Sequence, residues 1–161
     1  MKDVSALLLL LLFVWTASPA LAEPDHGASC KKIHGQIVDV QVTEGCTSPN
    51  KFCAEGTVTG NHGLNGTTYF RMDGAVRGPA VLPGSLATSG VLVYTTDKGT
   101  LTVRESGLSG LSESSQGYFT AFQQILEGTG DYAGATGHLW VAGTRLESHF
   151  EADLTGEICT P

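Results

Sequence analysis

The chain has 161 residues, of which 41% are hydrophobic and 16% charged, with a formal net charge of −7. That acidic balance argues against nucleic acid or an anionic membrane surface as partner, because neither phosphates nor anionic headgroups attract such a protein. The length is ample for one domain and too short for two good cores.

Residues 1–22 read as a signal peptide. A short start, Met1-Lys2, precedes an apolar run from Ala6 to Trp15, and Ala20-Leu21-Ala22 supplies the small residues that signal peptidase needs. The run is about half the ~20 residues that cross a bilayer, so no membrane span is expected. Residues 23–29 are a tail and residues 30–161 a single domain, in a secreted or periplasmic location. All 21 glycines fall after the leader. They punctuate alternating apolar residues at short intervals, which is the pattern of strands and turns rather than of disorder.

In chain order, Ile33–Thr43 places Val38, Val40 and Val42 on one face, and Phe52–Gly60 is a short second strand. Gly66–Val76 carries Tyr69, Phe70 and Met72. The stretch Asp73–Gly90, with Pro79 and Pro83, reads as a long loop. Gly90–Thr96 and Thr100–Glu105 flank Asp97-Lys98-Gly99, where the glycine suits a hairpin turn. Gly107–Gln116 reads as a polar loop. Gln116–Glu127 holds Tyr118, Phe119, Phe122, Ile125 and Leu126, and His138–Gly143 holds Leu139, Trp140 and Val141. From Arg145 to Ile158 apolar or small residues alternate with Arg145, Glu147, His149, Glu151, Asp153, Thr155 and Glu157, which predicts one long strand with a wet charged face. No segment shows a sustained helical period. The fold class is therefore all-β, with eight antiparallel strands in a sandwich or closed barrel.

Cys30, Cys46, Cys53 and Cys159 all lie in the exported part, an even number that suggests two disulfides; three pairings exist. A zinc site is the competing reading, but there is no C-x-x-C and no histidine pair to complete a ligand set. If the first two strands form a hairpin, Cys46 and Cys53 meet at its loop. If an up-and-down barrel closes, Cys30 before the first strand lies beside Cys159 after the last. A Cys30–Cys53 bond would need opposite ends of one hairpin to meet.

The remaining motifs are weak. Gly128-x-Gly130-x-x-Ala133 touches the dinucleotide pattern, but a strand follows it where a helix is required. Gly107-Leu108-Ser109-Gly110 is not a nucleophile elbow. His26, His34, His62, His138 and His149 share no ligand spacing; His138, on the face of Trp140, is placed to point inward, and His149 lies on the wet face. The acids Glu147, Glu151, Asp153 and Glu157 all sit on that wet face, so no carboxylate pair for glycosidic chemistry emerges. Asn65-Gly66-Thr67 is an N-glycosylation sequon.

The turn pattern Gly128-Thr129-Gly130-Asp131-Tyr132-Ala133-Gly134-Ala135-Thr136-Gly137, with Gly56-Thr57-Val58-Thr59-Gly60 and Gly63-Leu64-Asn65-Gly66-Thr67-Thr68, resembles secreted proteins of the allene oxide cyclase-like barrel superfamily, to which plant dirigent proteins also belong. The resemblance implies a closed eight-stranded antiparallel β-barrel with glycine-rich turns and a cavity able to hold an apolar small molecule. It carries over no catalytic residue. The expected function is a non-catalytic secreted module or a binder of a small apolar ligand, with no cofactor. The alternatives are a cyclase or isomerase acting on an apolar substrate in the cavity, or a dirigent-like stereochemical guide. A cavity on the order of several hundred Å³ ending in a carboxylate or histidine favours the enzyme, whereas a solidly packed barrel excludes it.

Overall fold

The computed structural model describes residues 27–111, 116–146 and 149–161, so the expected signal peptide at residues 1–22 and His26 lie outside the described residues. Eight strands follow one another: β1 (Ser29–Val42), β2 (Cys53–Gly60), β3 (Asn65–Arg77), β4 (Ser85–Thr96), β5 (Gly99–Leu111), β6 (Gln116–Gly128), β7 (Thr136–Leu146) and β8 (His149–Thr160). Each pairs antiparallel with its sequence neighbours, and β8 returns to β1, closing the barrel. An even number of up-and-down strands permits that closure, which leaves no sheet edge unpaired. Among the described residues no helix is long and apolar enough to cross a membrane.

Strand alternation sorts the side chains. Ile33, Ile37, Val58, Phe70, Leu92, Leu101, Val103, Ile125, Leu139, Val141, Leu154 and Ile158 fill the interior. Val38, Val40, Tyr69, Tyr118 and Leu126 face outward and are exposed. Glycines also sit inside strands where a side chain would collide with the next strand. A Cβ on Gly143 would run into the Glu151 carbonyl and Ala152, and one on Gly90 into the Phe70 ring. Such glycines let the sheet curve tightly enough to close.

The two ends differ. At the floor, short turns at 61–64 and 129–135 fold inward and bury Leu64, Tyr132 and Ala135 beneath the lumen. These turns are laced together: Lys98 Nζ donates to the His62 carbonyl at 2.8 Å, and Asp131 N–H to the Lys98 carbonyl at 2.8 Å. Cys30 and Cys159 are opposite residues in the β1–β8 register and are bonded to each other, tying the seam at this end. At the mouth lie residues 43–52 and 78–84. Cys46 is bonded to Cys53 there. Two disulfides fit an oxidising environment.

The structure corrects several boundaries. β3 continues to Arg77 and β4 begins at Ser85, so most of Asp73–Gly90 is strand rather than loop. β5 likewise runs on to Leu111, placing Gly107-Leu108-Ser109-Gly110 within a strand. The long alternation from Arg145 to Ile158 is two strands, not one. Arg145 pairs with Phe150 and Leu146 with His149 across a hairpin whose residues 147–148 lie outside the described residues. Pattern and face part company at this hairpin: Arg145 lines the lumen and Leu146 is exposed, the reverse of the expected assignment. On β8 itself the assignment holds, with Ala152, Leu154 and Ile158 buried and Glu151 and Asp153 exposed.

Candidate functional site: an apolar cavity with two buried acids

The floor half of the barrel is packed by side chains, and the mouth half is not. A cavity of about 330 Å³ opens there. Its space comes from small residues at inward positions, Ala54, Ala75, Thr88 and Ala152, beside larger groups. Four phenyl rings line it in an edge-to-face chain. Phe70 meets Phe52 at 6.3 Å between centroids, Phe52 meets Phe150 at 6.0 Å, and Phe150 meets Phe119 at 6.0 Å. These are favoured aromatic geometries. The Arg145 guanidinium lies over the Phe150 ring, 5.4 Å from its centroid.

Residues 43–52 complete one side of the mouth. The Cys46–Cys53 bond closes this loop, the Ser48 hydroxyl donates to the Met72 carbonyl at 2.6 Å, and Met72 N–H donates to the Phe52 carbonyl at 3.1 Å. The loop thereby contributes Asn50 and Phe52 to the cavity lining.

Within this apolar space stand two carboxyl groups, Asp39 of β1 and Glu105 of β5, only 7% and 3% exposed. Both occupy inward positions of the strand alternation, Asp39 after Ile33 and Ile37, and Glu105 after Leu101 and Val103. Asp39 Oδ1 accepts a short hydrogen bond from the Thr68 hydroxyl. Glu105 Oε2 accepts from Gln123 Nε2 at 2.7 Å, while Gln123 Oε1 accepts from the Tyr94 hydroxyl at 2.6 Å. That relay runs from β4 through β6 to β5, and all of its donors point toward Glu105. Neither Oδ2 of Asp39 nor Oε1 of Glu105 is bonded to another described residue.

Burial dominates the acid chemistry. It raises Glu105 from 4.5 to about 7; the Gln123 bond opposes the rise and the charge of Asp39 adds to it. Burial raises Asp39 as well, against the lowering effect of the Thr68 bond. Tyr94 is pushed well above 10, first by burial and then by the charge on Glu105. The site can therefore hold protons on acids at pH values where surface carboxylates have lost them. It has hydrogen-bond donors, acceptors and apolar walls. Among the described residues no group of three or more histidine, cysteine or acidic side chains could hold a metal ion.

Comparison with protein-family models, curated proteins and solved structures found no match.

Residues singled out in the sequence stand elsewhere. His138 does not point inward. It stacks on Phe122 at 5.9 Å, and Phe122 contacts Trp140 at 4.9 Å, in a cluster on the outer face where Trp140 is 51% exposed. His149 is at the rim, 3.0 Å from Glu151 Oε1. Asn65 is exposed at the floor end, and its Oδ1 accepts from Gly60 N–H at 3.0 Å. Asp39 and Glu105 escaped the motif search because they belong to no motif. Their signal was parity: an acid in the apolar register of a strand.

Proposed function

We propose that this is an exported barrel whose mouth cavity binds one small, largely apolar molecule. The observation that carries the reading is the cavity itself: about 330 Å³, walled by Phe52, Phe70, Phe119 and Phe150 and containing two buried carboxyl groups. Ligand sites are of this kind, concave and apolar with a few placed polar atoms. The leader at residues 1–22, the two disulfides and the resemblance to the allene oxide cyclase-like barrels in the glycine turns support export and a ligand-holding role.

A second reading, catalysis of the cyclase or isomerase type, is favoured by one feature. Glu105 lies inside the cavity with its acidity tuned to about 7, suited to giving or taking a proton near neutral pH. Restraint of a flexible substrate within phenyl walls would supply the rest.

Displacement of N-phenyl-1-naphthylamine, a fluorophore that brightens in apolar surroundings, tests the binding reading. The dye binds the native barrel, and binding is lost in Ala152→Leu, whose added side chain occupies the lining. Equal dye binding by the two proteins would show that the dye sits elsewhere and defeat the reading.

A further inference from the structure

The buried ionisable groups of the cavity lining are both acids. The two carboxyls each accept a hydrogen bond from the scaffold, Thr68 donating to Asp39 and Gln123 to Glu105, so the fixed donors are oriented toward acceptor oxygens. A scaffold that needed only neutral polar groups there would be served by Asn and Gln, whose burial costs less. Two acids sharing an apolar lumen repel each other once ionised, and each raises the other's cost of burial. The surrounding walls are phenyl rings, whose faces attract cations through the ring quadrupole. The groups facing Glu105 from neighbouring elements are Asp39 on β1, Tyr94 on β4 and Gln123 on β6. The remaining charged group of the lining, Arg145 on β7, stands at the rim over Phe150.

Resting on the reading of the cavity as a binding site, we propose that its occupant is a small organic cation with an apolar body, the positive charge received by Asp39 and Glu105 among the phenyl rings. Such a ligand supplies the counter-charge that the two acids lack. Its binding shifts Glu105 from the protonated to the ionised form, so cation uptake is accompanied by proton release. The net negative charge of the chain favours approach of the same class of molecule.

Benzyltrimethylammonium and its uncharged isostere neopentylbenzene separate charge from shape, and the permanent charge of the first leaves any pH dependence to the protein. The cation should displace N-phenyl-1-naphthylamine about ten- to hundredfold more strongly than the isostere near pH 8. Its advantage should shrink on acidification to about pH 5, where Glu105 is protonated. Calorimetric titration near pH 6 in buffers of differing ionisation enthalpy should show up to one proton released per cation bound, and none for neopentylbenzene. Glu105→Gln should abolish most of the release and the preference, with the dye still bound; Asp39→Asn should weaken the preference on its own.

Equal displacement by the two probes, or cation binding without proton release, overturns this inference while leaving the cavity reading intact. Failure of the dye and both probes to bind the native protein removes the cavity reading, and this inference with it. Should either variant fold poorly, the comparison of the two probes on the native barrel still decides.

Discussion

Replacing Glu105 by glutamine should make the barrel more stable, and only above a particular pH. In the unfolded chain this carboxyl titrates near 4.5; in the barrel burial lifts it to about 7. Between those values the native state holds a proton that the unfolded state has released, so stability falls as pH rises through that window. At about 1.4 kcal/mol per pKa unit, the fall amounts to about 3 kcal/mol, fully developed near pH 8 and absent near pH 4. Asp39, also raised by burial, adds in the same direction. Asp73 and Glu157, held low by Arg104 and Lys32, oppose the trend only on the acid side of the window. Glu105→Gln keeps an acceptor for Gln123 Nε2 and removes the charge. Its urea denaturation free energy should exceed the native protein's by about 3 kcal/mol near pH 8, roughly 10 °C in Tm, and match it near pH 4. Native stability that does not change between about pH 5 and about pH 8, or a variant that retains the full slope, would refute the assignment of Glu105 as a buried, strained acid.

Two further perturbations test the frame. Serine at both Cys30 and Cys159 opens a closure spanning 129 residues, and serine at Cys46 and Cys53 one spanning 7. The chain-entropy account gives losses of about 5 and about 2 kcal/mol, so the seam pair should lower the urea midpoint far more, while the rim pair should chiefly weaken dye binding through Phe52. Gly143→Ala forces a methyl into the Glu151 carbonyl and Ala152, and should cost about 1–3 kcal/mol in denaturant titration.

Much of the barrel was legible because period-two alternation and glycine punctuation are local signals. Strands around Val103, Val141 and Leu154 declare themselves in short windows, and eight of them in even number permit the closure that the strand order and register display. Boundaries were less legible where composition misleads. Gly107–Gln116 is small and polar like a loop, yet its residues up to Leu111 extend β5, with Ser109 lining the lumen. The passage from β7 to β8 hid inside an unbroken alternation, so the sequence pattern assigned Arg145 to water although register places it opposite Phe150. The site was hardest to see. Glu105 closes the run Thr100–Glu105 and reads as a polar strand end; only the full length of β5 shows it to be mid-strand and inward. Gln123 and Tyr94 gain their meaning from two hydrogen bonds between strands far apart in sequence.

The backbone of an eight-stranded barrel fixes a lumen of nearly constant bore, so the cavity is a matter of omission. It exists where Ala54, Ala75 and Ala152 stand in place of larger residues and where Gly90 leaves room for the Phe70 ring. Enlarging or reshaping it needs no loop insertion and no rearranged hydrogen-bond ladder, only the exchange of one inward side chain for another. Selectivity in such a scaffold can thus drift one residue at a time while the floor, with its own disulfide and packed plug, keeps the fold intact.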